Sequence, residues 1–199
     1  MRYVALLIAI TGMAVVQTKF VDKSPAGSPI RLVETVNANK ECGITARNID
    51  KRPVVAVVVD FDAGPVGGHM THDHFFRSDE HVAMYGYEFQ IENFPCNTAK
   101  VTVTTKFIQF NDGQVWSGSD AKTIADLAFN RREEIDYLNE VIAATDIKAE
   151  LAKPPQPGKA LLARGGEQAV LLNSSDPVAT AKDRLANAEA HASWLLDLK

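Results

Sequence analysis

The chain has 199 residues, of which 46% are hydrophobic and 23% charged, and its formal net charge is −4. These are ordinary values for a globular protein, and they exclude an intrinsically disordered chain. The length allows one domain, or one domain with a smaller appendage. The charge is acidic overall and the lysines and arginines are scattered, so the sequence lacks the basic footprint of a protein that binds nucleic acid or anionic lipid.

The N-terminal segment has the pattern of an export signal. Arg2 precedes an uncharged apolar run from Val4 to Val16, which is shorter than the roughly 20 residues of a membrane-spanning helix. Such a run is typical of a secretory signal, and Ala14 is a small residue suited to peptidase cleavage. We therefore predict that residues 1–17 are a signal peptide or, if uncleaved, an anchor that makes the only membrane contact. The alternative is a buried strand.

Two cysteines, Cys42 and Cys96, are the only ones in the chain. In an exported protein such a pair predicts a disulfide bond, which would stabilise a loop of this size by about 4 kcal/mol. The alternative is two free thiols in a reducing compartment. The spacing excludes a CxxC redox or zinc motif. The signal and the disulfide together predict an exported protein, located in the periplasm, the cell envelope or the extracellular space.

The region 30–117 reads as one β-domain, preceded by a proline-containing linker at 18–29. Val54–Phe61 is almost continuously β-branched, which predicts a central strand. Val101–Phe110 alternates apolar and polar residues, which predicts one buried face and one solvent-facing face. Further strand-like runs are Ile30–Val36 and Val82–Phe94.

A longer pattern connects the last two strand candidates. The stretch from Tyr85 to Pro95 ends in an asparagine and a turn, and Val101 to Val115 holds a β-branched strand and an Asp-Gly hairpin turn. Over about thirty residues this resembles the central hairpin of small immunoglobulin-like domains of the FxLYD type. The resemblance implies an antiparallel β-sandwich that binds or spaces rather than catalyses, and it carries over no functional residue.

A glycine-rich segment, Gly64–Ser78, contains or adjoins four of the five histidines. It predicts a flexible loop between strands, in which His69, His72 and His74 could converge on Zn²⁺ or another transition metal, with His81 as a possible further ligand. One alternative is a solvated loop whose histidines never meet. Another is a pH-responsive loop, because clustered imidazoles titrate near neutrality. In each case the loop is the candidate contact surface.

The region 118–199 reads as helical. Ser119 is the predicted cap, and Asp120 suits the first turn, of an amphipathic helix of about 25–30 residues. We expect its polar face to carry Arg131, Arg132, Glu133 and Asp136. A proline-rich break at 153–158 ends this pattern.

A second main helix begins at Asp176-Pro177. It has an alanine-rich stripe that permits close helix packing. Such a stripe serves packing within the chain or docking of another subunit, and two helical faces exceed what a small sandwich would cover. The candidate partner contacts are therefore Val178, Ala181, Leu185, Ala188, Ala192 and Leu195.

The combined prediction is an α+β fold: an immunoglobulin-like antiparallel sandwich followed by a helical segment with two main helices. Because nucleophile elbows, HExxH, Walker and Rossmann motifs are absent, we expect no enzyme and no cofactor. The leading expectation is a structural or interaction protein that contacts other protein subunits, including copies of itself, and no nucleic acid. The alternative is a metal-binding or metal-sensing exported protein that uses the histidine-rich loop.

Overall fold

The computed structural model describes residues 19–36, 42–64, 67–77, 86, 88–94, 100–153 and 168–196. Within them the fold is mixed α+β, with two sheets and a helical C-terminal part, so the predicted class is confirmed. The proposed signal segment, residues 1–17, lies outside the described residues, as do Cys96 and His81. In the part of the chain that the structure describes, no helix has the length and apolar character needed to cross a membrane.

Seven strands are described. They are β1 Lys19–Asp22, β2 Ile30–Val36, β3 Cys42–Asn48, β4 Val54–Asp62, β5 Gly67–Asp73, β6 Glu88–Phe94 and β7 Lys100–Phe110. The predicted strands at β2, β4 and β7 are confirmed, and β6 forms the described end of the fourth candidate. The Asp-Gly turn after β7 leads back to a single bridge between Gln109 and Val115 rather than to a full return strand.

Two expectations about irregular segments are wrong. The proposed linker at 18–29 contains β1, and the proposed histidine loop contains β5. The strand β3 had no counterpart in the sequence prediction. All three strands lack a clear apolar alternation, because β1 has only four residues and the others hold glycine and charged or polar residues.

The strands form a four-stranded sheet with the order β1-β7-β4-β5 and a three-stranded sheet with the order β2-β3-β6. The β1–β7 pair is parallel, and all the other pairs are antiparallel. Apolar side chains from both sheets meet in one cluster, with Ile44 and Ala46 from β3 facing residues such as Val57, Val59 and Val103 of the larger sheet. Fully burying a valine or isoleucine side chain contributes about 1.5–3 kcal/mol.

The opposite face of the larger sheet is covered by helices. These are α1 Ala121–Ala143, α2 Ile147–Leu151 and α3 Pro177–Ala190, followed by a 3-10 turn at Ala192–Trp194. On this side Ala56, Val58 and Phe107 of the sheet pack with Leu127 and Ala128 of α1. The continuous apolar run of β4 is thereby explained, since the strand is buried on both faces.

Each of these three α-helices is preceded by an aspartate N-cap. Asp120, Asp146 and Asp176 each accept a hydrogen bond from the backbone N–H three residues later, at 2.9 to 3.0 Å. These carboxylates satisfy backbone donors that the first helical turn leaves unpaired. The prediction that Ser119 caps this helix is wrong, because Asp120 is the cap. The Ser119 hydroxyl instead accepts a hydrogen bond from Ile108 N at 3.2 Å and so ties the start of α1 to β7.

Candidate functional site: the histidine strand and the buried arginine

The histidines singled out by the sequence lie on β5, at one edge of the four-stranded sheet. His69 stands opposite Asp60 of β4, and its Nδ1 lies 2.7 Å from Asp60 Oδ1. Lys106 Nζ lies 3.6 Å from the other oxygen of the same carboxylate. The side chains of His69, Asp60 and Lys106 are partly exposed, at 44%, 43% and 34% respectively. This arrangement is a surface ion cluster, which contributes little stability.

His72 and His74 form a separate, more buried pair. Their Nε2 atoms are 2.7 Å apart, and the rings meet edge to face with centroids 4.5 Å apart. One ring must therefore donate a proton to the other, so the two imidazoles cannot both be acceptors at these atoms. His74 is only 3% exposed. Burial lowers the pKa of His72, and the nearby Arg77 cation lowers it further.

The predicted convergence of three imidazoles does not occur. His69 and His72 are three residues apart on one strand, so their side chains project from opposite faces of the sheet. Among the described residues, no group of three or more His, Cys, Asp or Glu side chains is arranged to hold a metal ion. The possible ligand His81 lies outside the described residues.

Between the two histidines, Asp73 makes the main ion pair of this region. Arg131 of α1 approaches it in a bidentate geometry, with Nε 2.8 Å from Oδ2 and Nη2 2.8 Å from Oδ1. The side chain of Arg131 is fully buried, and that of Asp73 is 16% exposed. Asp73 Oδ1 also accepts a hydrogen bond from the Phe75 backbone N–H at 3.1 Å. The guanidinium further lies 4.8 Å from the centre of the Phe75 ring, within the range of a cation–π contact.

The same guanidinium connects α1 to β7 and to the C-terminal turn. Its Nη1 donates to Gln109 Oε1 at 2.8 Å and to the Trp194 carbonyl oxygen at 2.5 Å. Gln109, also fully buried, donates to the Trp194 carbonyl at 3.0 Å. One buried cation thus joins β5, β7, α1 and the 3-10 turn. We call Asp73, Gln109, Arg131 and Trp194 the arginine network.

Aromatic contacts extend this network toward the end of the described chain. The rings of His191 and Trp194 are stacked, with centroids 3.8 Å apart and planes 6° apart. His191 Nδ1 lies 3.0 Å from the Phe75 carbonyl oxygen, so this nitrogen is the donor. Trp194 Nε1 donates to the Asn111 carbonyl oxygen at 2.7 Å. The C-terminal turn is therefore held by directed hydrogen bonds as well as by apolar packing.

The prediction that Arg131 lies on the solvent face of α1 is wrong, since the residue is 0% exposed. Its neighbours Arg132 and Asp136 are exposed as expected. The helical spacing holds a signal that the sequence interpretation missed: Arg131 is four residues after Leu127 and seven before Leu138, both buried. These positions share one face of a helix. A charged residue within an apolar stripe indicates a buried, paired charge.

The alanine-rich stripe of the second main helix is used within the chain. Ala181 and Ala188 are buried, and Leu185 and Leu195 pack partly buried against the same cluster, which includes Leu138 of α1. Val178 is half-buried and Ala192 is exposed. The sequence interpretation expected one helical face to remain uncovered. It did not include the apolar face of the larger sheet that points away from the smaller sheet and packs against the helices. The candidate partner contacts therefore lie largely in the protein's own core.

Comparison with models of known protein families, with curated proteins and with solved structures yields no match to this chain. The chemistry of the site therefore rests on its own residues. The carboxylate of Asp73 is engaged by a buried guanidinium on both oxygens. A carboxylate bound in this way is held in one orientation by its partner.

Proposed function

We propose that this protein is a non-catalytic exported protein that acts as a structural or interaction module. Its β-sandwich and helices would bind other protein subunits in the cell envelope, the periplasm or an extracellular assembly. The observation that carries the proposal is the arginine network, in which the buried Arg131 of α1 is hydrogen-bonded to the larger sheet and to the C-terminal turn. A site built for catalysis would direct such groups toward a substrate.

The strand order supports an immunoglobulin-like arrangement. In that fold one sheet contains strands A, B and E and the other contains C, F and G, with an added C′ strand in variable-type domains. The order β2-β3-β6 corresponds to A-B-E, and β7-β4-β5 corresponds to F-C-C′. The position of the G strand is taken by β1, which runs parallel to β7. The FxLYD-type domains that the sequence resembles generally bind a partner or act as spacers.

The strand register supports the proposed disulfide between Cys42 and Cys96. Cys42 is 4% exposed and stands opposite Phe94 of β6. Cys96 follows Phe94 by only two residues in the sequence, which is compatible with a bond to Cys42. A disulfide needs Cα atoms about 4.4–6.8 Å apart.

Intact mass spectrometry of the protein from its native host tests export directly. We expect loss of the N-terminal residues through Ala14 and a mass gain of about 2 Da on reduction. A Cys42→Ser, Cys96→Ser double variant is the matched control and should show no gain. A retained N-terminus together with free thiols would contradict export and would leave the apolar N-terminal run without its proposed role.

A second candidate, a metal-binding function, is favoured by one observation. The Nε2 atoms of His72 and His74 face one another, and imidazole nitrogens are the preferred protein ligands of Zn²⁺ and Cu²⁺. Titration with Zn²⁺ followed by calorimetry tests it. Saturable binding that His72→Gln abolishes and His69→Gln leaves intact would favour this function. Binding that is absent, or equal in both variants, would exclude a site at this pair.

A further inference from the structure

The N-terminal strand β1 is the shortest of the described strands, and its pairing with β7 is the parallel one among the described pairs. It has four residues and lies at the sheet edge, where it pairs with β7 alone. Its first residue, Lys19, stands opposite Lys100, which places two like charges side by side in exposed positions. Like charges that face one another across strands are destabilising. The pairing of β1 with β7 is therefore weakened at its first residue.

The surface that β1 covers is nevertheless part of the core. Val101 and Val103 of β7 are 0% exposed, and Phe20 of β1 packs against the same cluster between the sheets. The contact continues past the strand, because Lys23 N donates to the Val103 carbonyl oxygen at 2.8 Å and Thr105 N donates to Ser24 Oγ at 2.8 Å. This edge of β7 therefore needs an occupying strand.

The chain after β7 does not supply that strand. It makes the single Gln109–Val115 bridge and then enters α1. At its C-terminal end, β1 is connected to β2 of the opposite sheet through the exposed turn Pro25-Ala26-Gly27. Gly27 has φ of +79°, and a Cβ at this position would meet no atom within 4 Å. Because residues 25–27 are exposed and a side chain at Gly27 would make no contact, we take this turn as the candidate hinge.

We propose that β1 is exchanged between copies of this chain, so that β1 of one protomer pairs with β7 of a second protomer. Every contact of residues 19–24 with β7 is preserved in such an exchange, and only the hinge changes conformation. Exchange of an identical element is a low-cost route to assembly, and reciprocal exchange closes a two-fold dimer. The proposal rests on the proposed interaction function, for which it names the partner as a second copy.

Cross-linking between two full-length variants tests the exchange. Val21→Cys and Thr102→Cys, at positions opposite one another in the parallel pair, are placed on separate chains with different C-terminal tags and expressed together. We expect a disulfide-linked dimer that carries both tags and disappears on reduction. The matched control is Val21→Cys expressed with Thr71→Cys, an exposed position on the far edge strand. It measures random collision.

Equal dimer yields in the two mixtures would overturn the proposal, as would a Val21→Cys, Thr102→Cys chain whose disulfide closes only within single chains. Export and the native disulfide are measured separately, so their presence without exchange leaves the proposed function intact with a partner other than itself. A second variant acts on the hinge. Valine strongly disfavours a positive φ, so Gly27→Val should raise the fraction of exchanged chains several-fold, and an unchanged or lower fraction would contradict the exchange.

Discussion

The two cores of this protein are organised in different ways. Between the sheets, apolar side chains such as Ile44, Val57 and Val103 interdigitate. Between the larger sheet and the helices, apolar packing is combined with a fully buried arginine and its directed hydrogen bonds. Apolar packing is non-directional, whereas a buried ion pair fixes one relative position of its partners. The contrast suggests that strand pairing positions the sheets and that the arginine network positions the helices.

The largest expected effect comes from removing the buried cation. Arg131→Met should reduce the free energy of unfolding by about 3–5 kcal/mol, because the buried Asp73 and Gln109 lose their partner. Urea unfolding measures this. Arg47→Met is the matched control: Arg47 forms an exposed pair with Glu88, at 3.6 Å and 52% exposure on both sides, worth roughly 0–1 kcal/mol. Similar losses in the two variants would show that the network has no special role.

A second prediction asks whether the two cores unfold together. Ile44→Ala in the core between the sheets and Leu138→Ala in the helical core each remove a fully buried side chain. Each should cost about 2–5 kcal/mol. If the arginine network couples the layers, both variants will show one transition, coincident by tryptophan fluorescence and by far-ultraviolet circular dichroism. Separate transitions in the Leu138→Ala variant would indicate a helical layer that unfolds independently.

The sequence predicted much of the core between the sheets but little of the core between the larger sheet and the helices. The β-branched run of β4 and the alternation of β7 predicted a central strand and a half-buried strand. Period-two and period-3.6 patterns report burial of one face, but they do not report what covers the other face. The sequence therefore allowed one helix to pack on the sandwich but did not show that the larger sheet is covered on both faces. The run from Phe107 to Phe110, buried at four successive positions, departs from the predicted alternation.

The candidate site shows the same limit. Of the three histidines expected to converge, His72 and His74 lie together, with their Nε2 atoms 2.7 Å apart, whereas His69 does not join them. The role of Asp73 depends on a residue 58 positions later in the chain, and no local pattern reports a contact at that distance. Arg131 could have been recognised, because its position between Leu127 and Leu138 places it in the apolar stripe.

A third prediction concerns the turn beneath the C-terminal segment. Gly113 and Gly27 both have positive φ, +82° and +79°, but a Cβ at Gly113 would overlap the Ser193 carbonyl oxygen. Gly27→Ala should cost about 1 kcal/mol from backbone strain alone. Gly113→Ala should cost more, because it also displaces the turn that carries Trp194. Thermal unfolding compares the two, and equal losses would show that Ser193 yields without affecting the arginine network.

The smallest expected effect is a pH dependence from the histidine pair beside the network. The pKa of His72 is lowered from its ordinary value of 6.5 by burial and by Arg77. Between that lowered pKa and 6.5 the unfolded chain therefore binds a proton that the folded chain does not. The free energy of unfolding should consequently fall as pH drops below 6.5 and be insensitive to this group above it. The slope is limited to about 1.4 kcal/mol per pH unit, and partial exposure of His72 makes it smaller.

Urea unfolding at several pH values between 7.5 and 5 measures this slope, and His72→Gln should reduce it. An equal slope in the two proteins would place the acid sensitivity elsewhere, whereas a reduced slope would assign it to His72, which stands opposite Val57 at the edge of the core between the sheets.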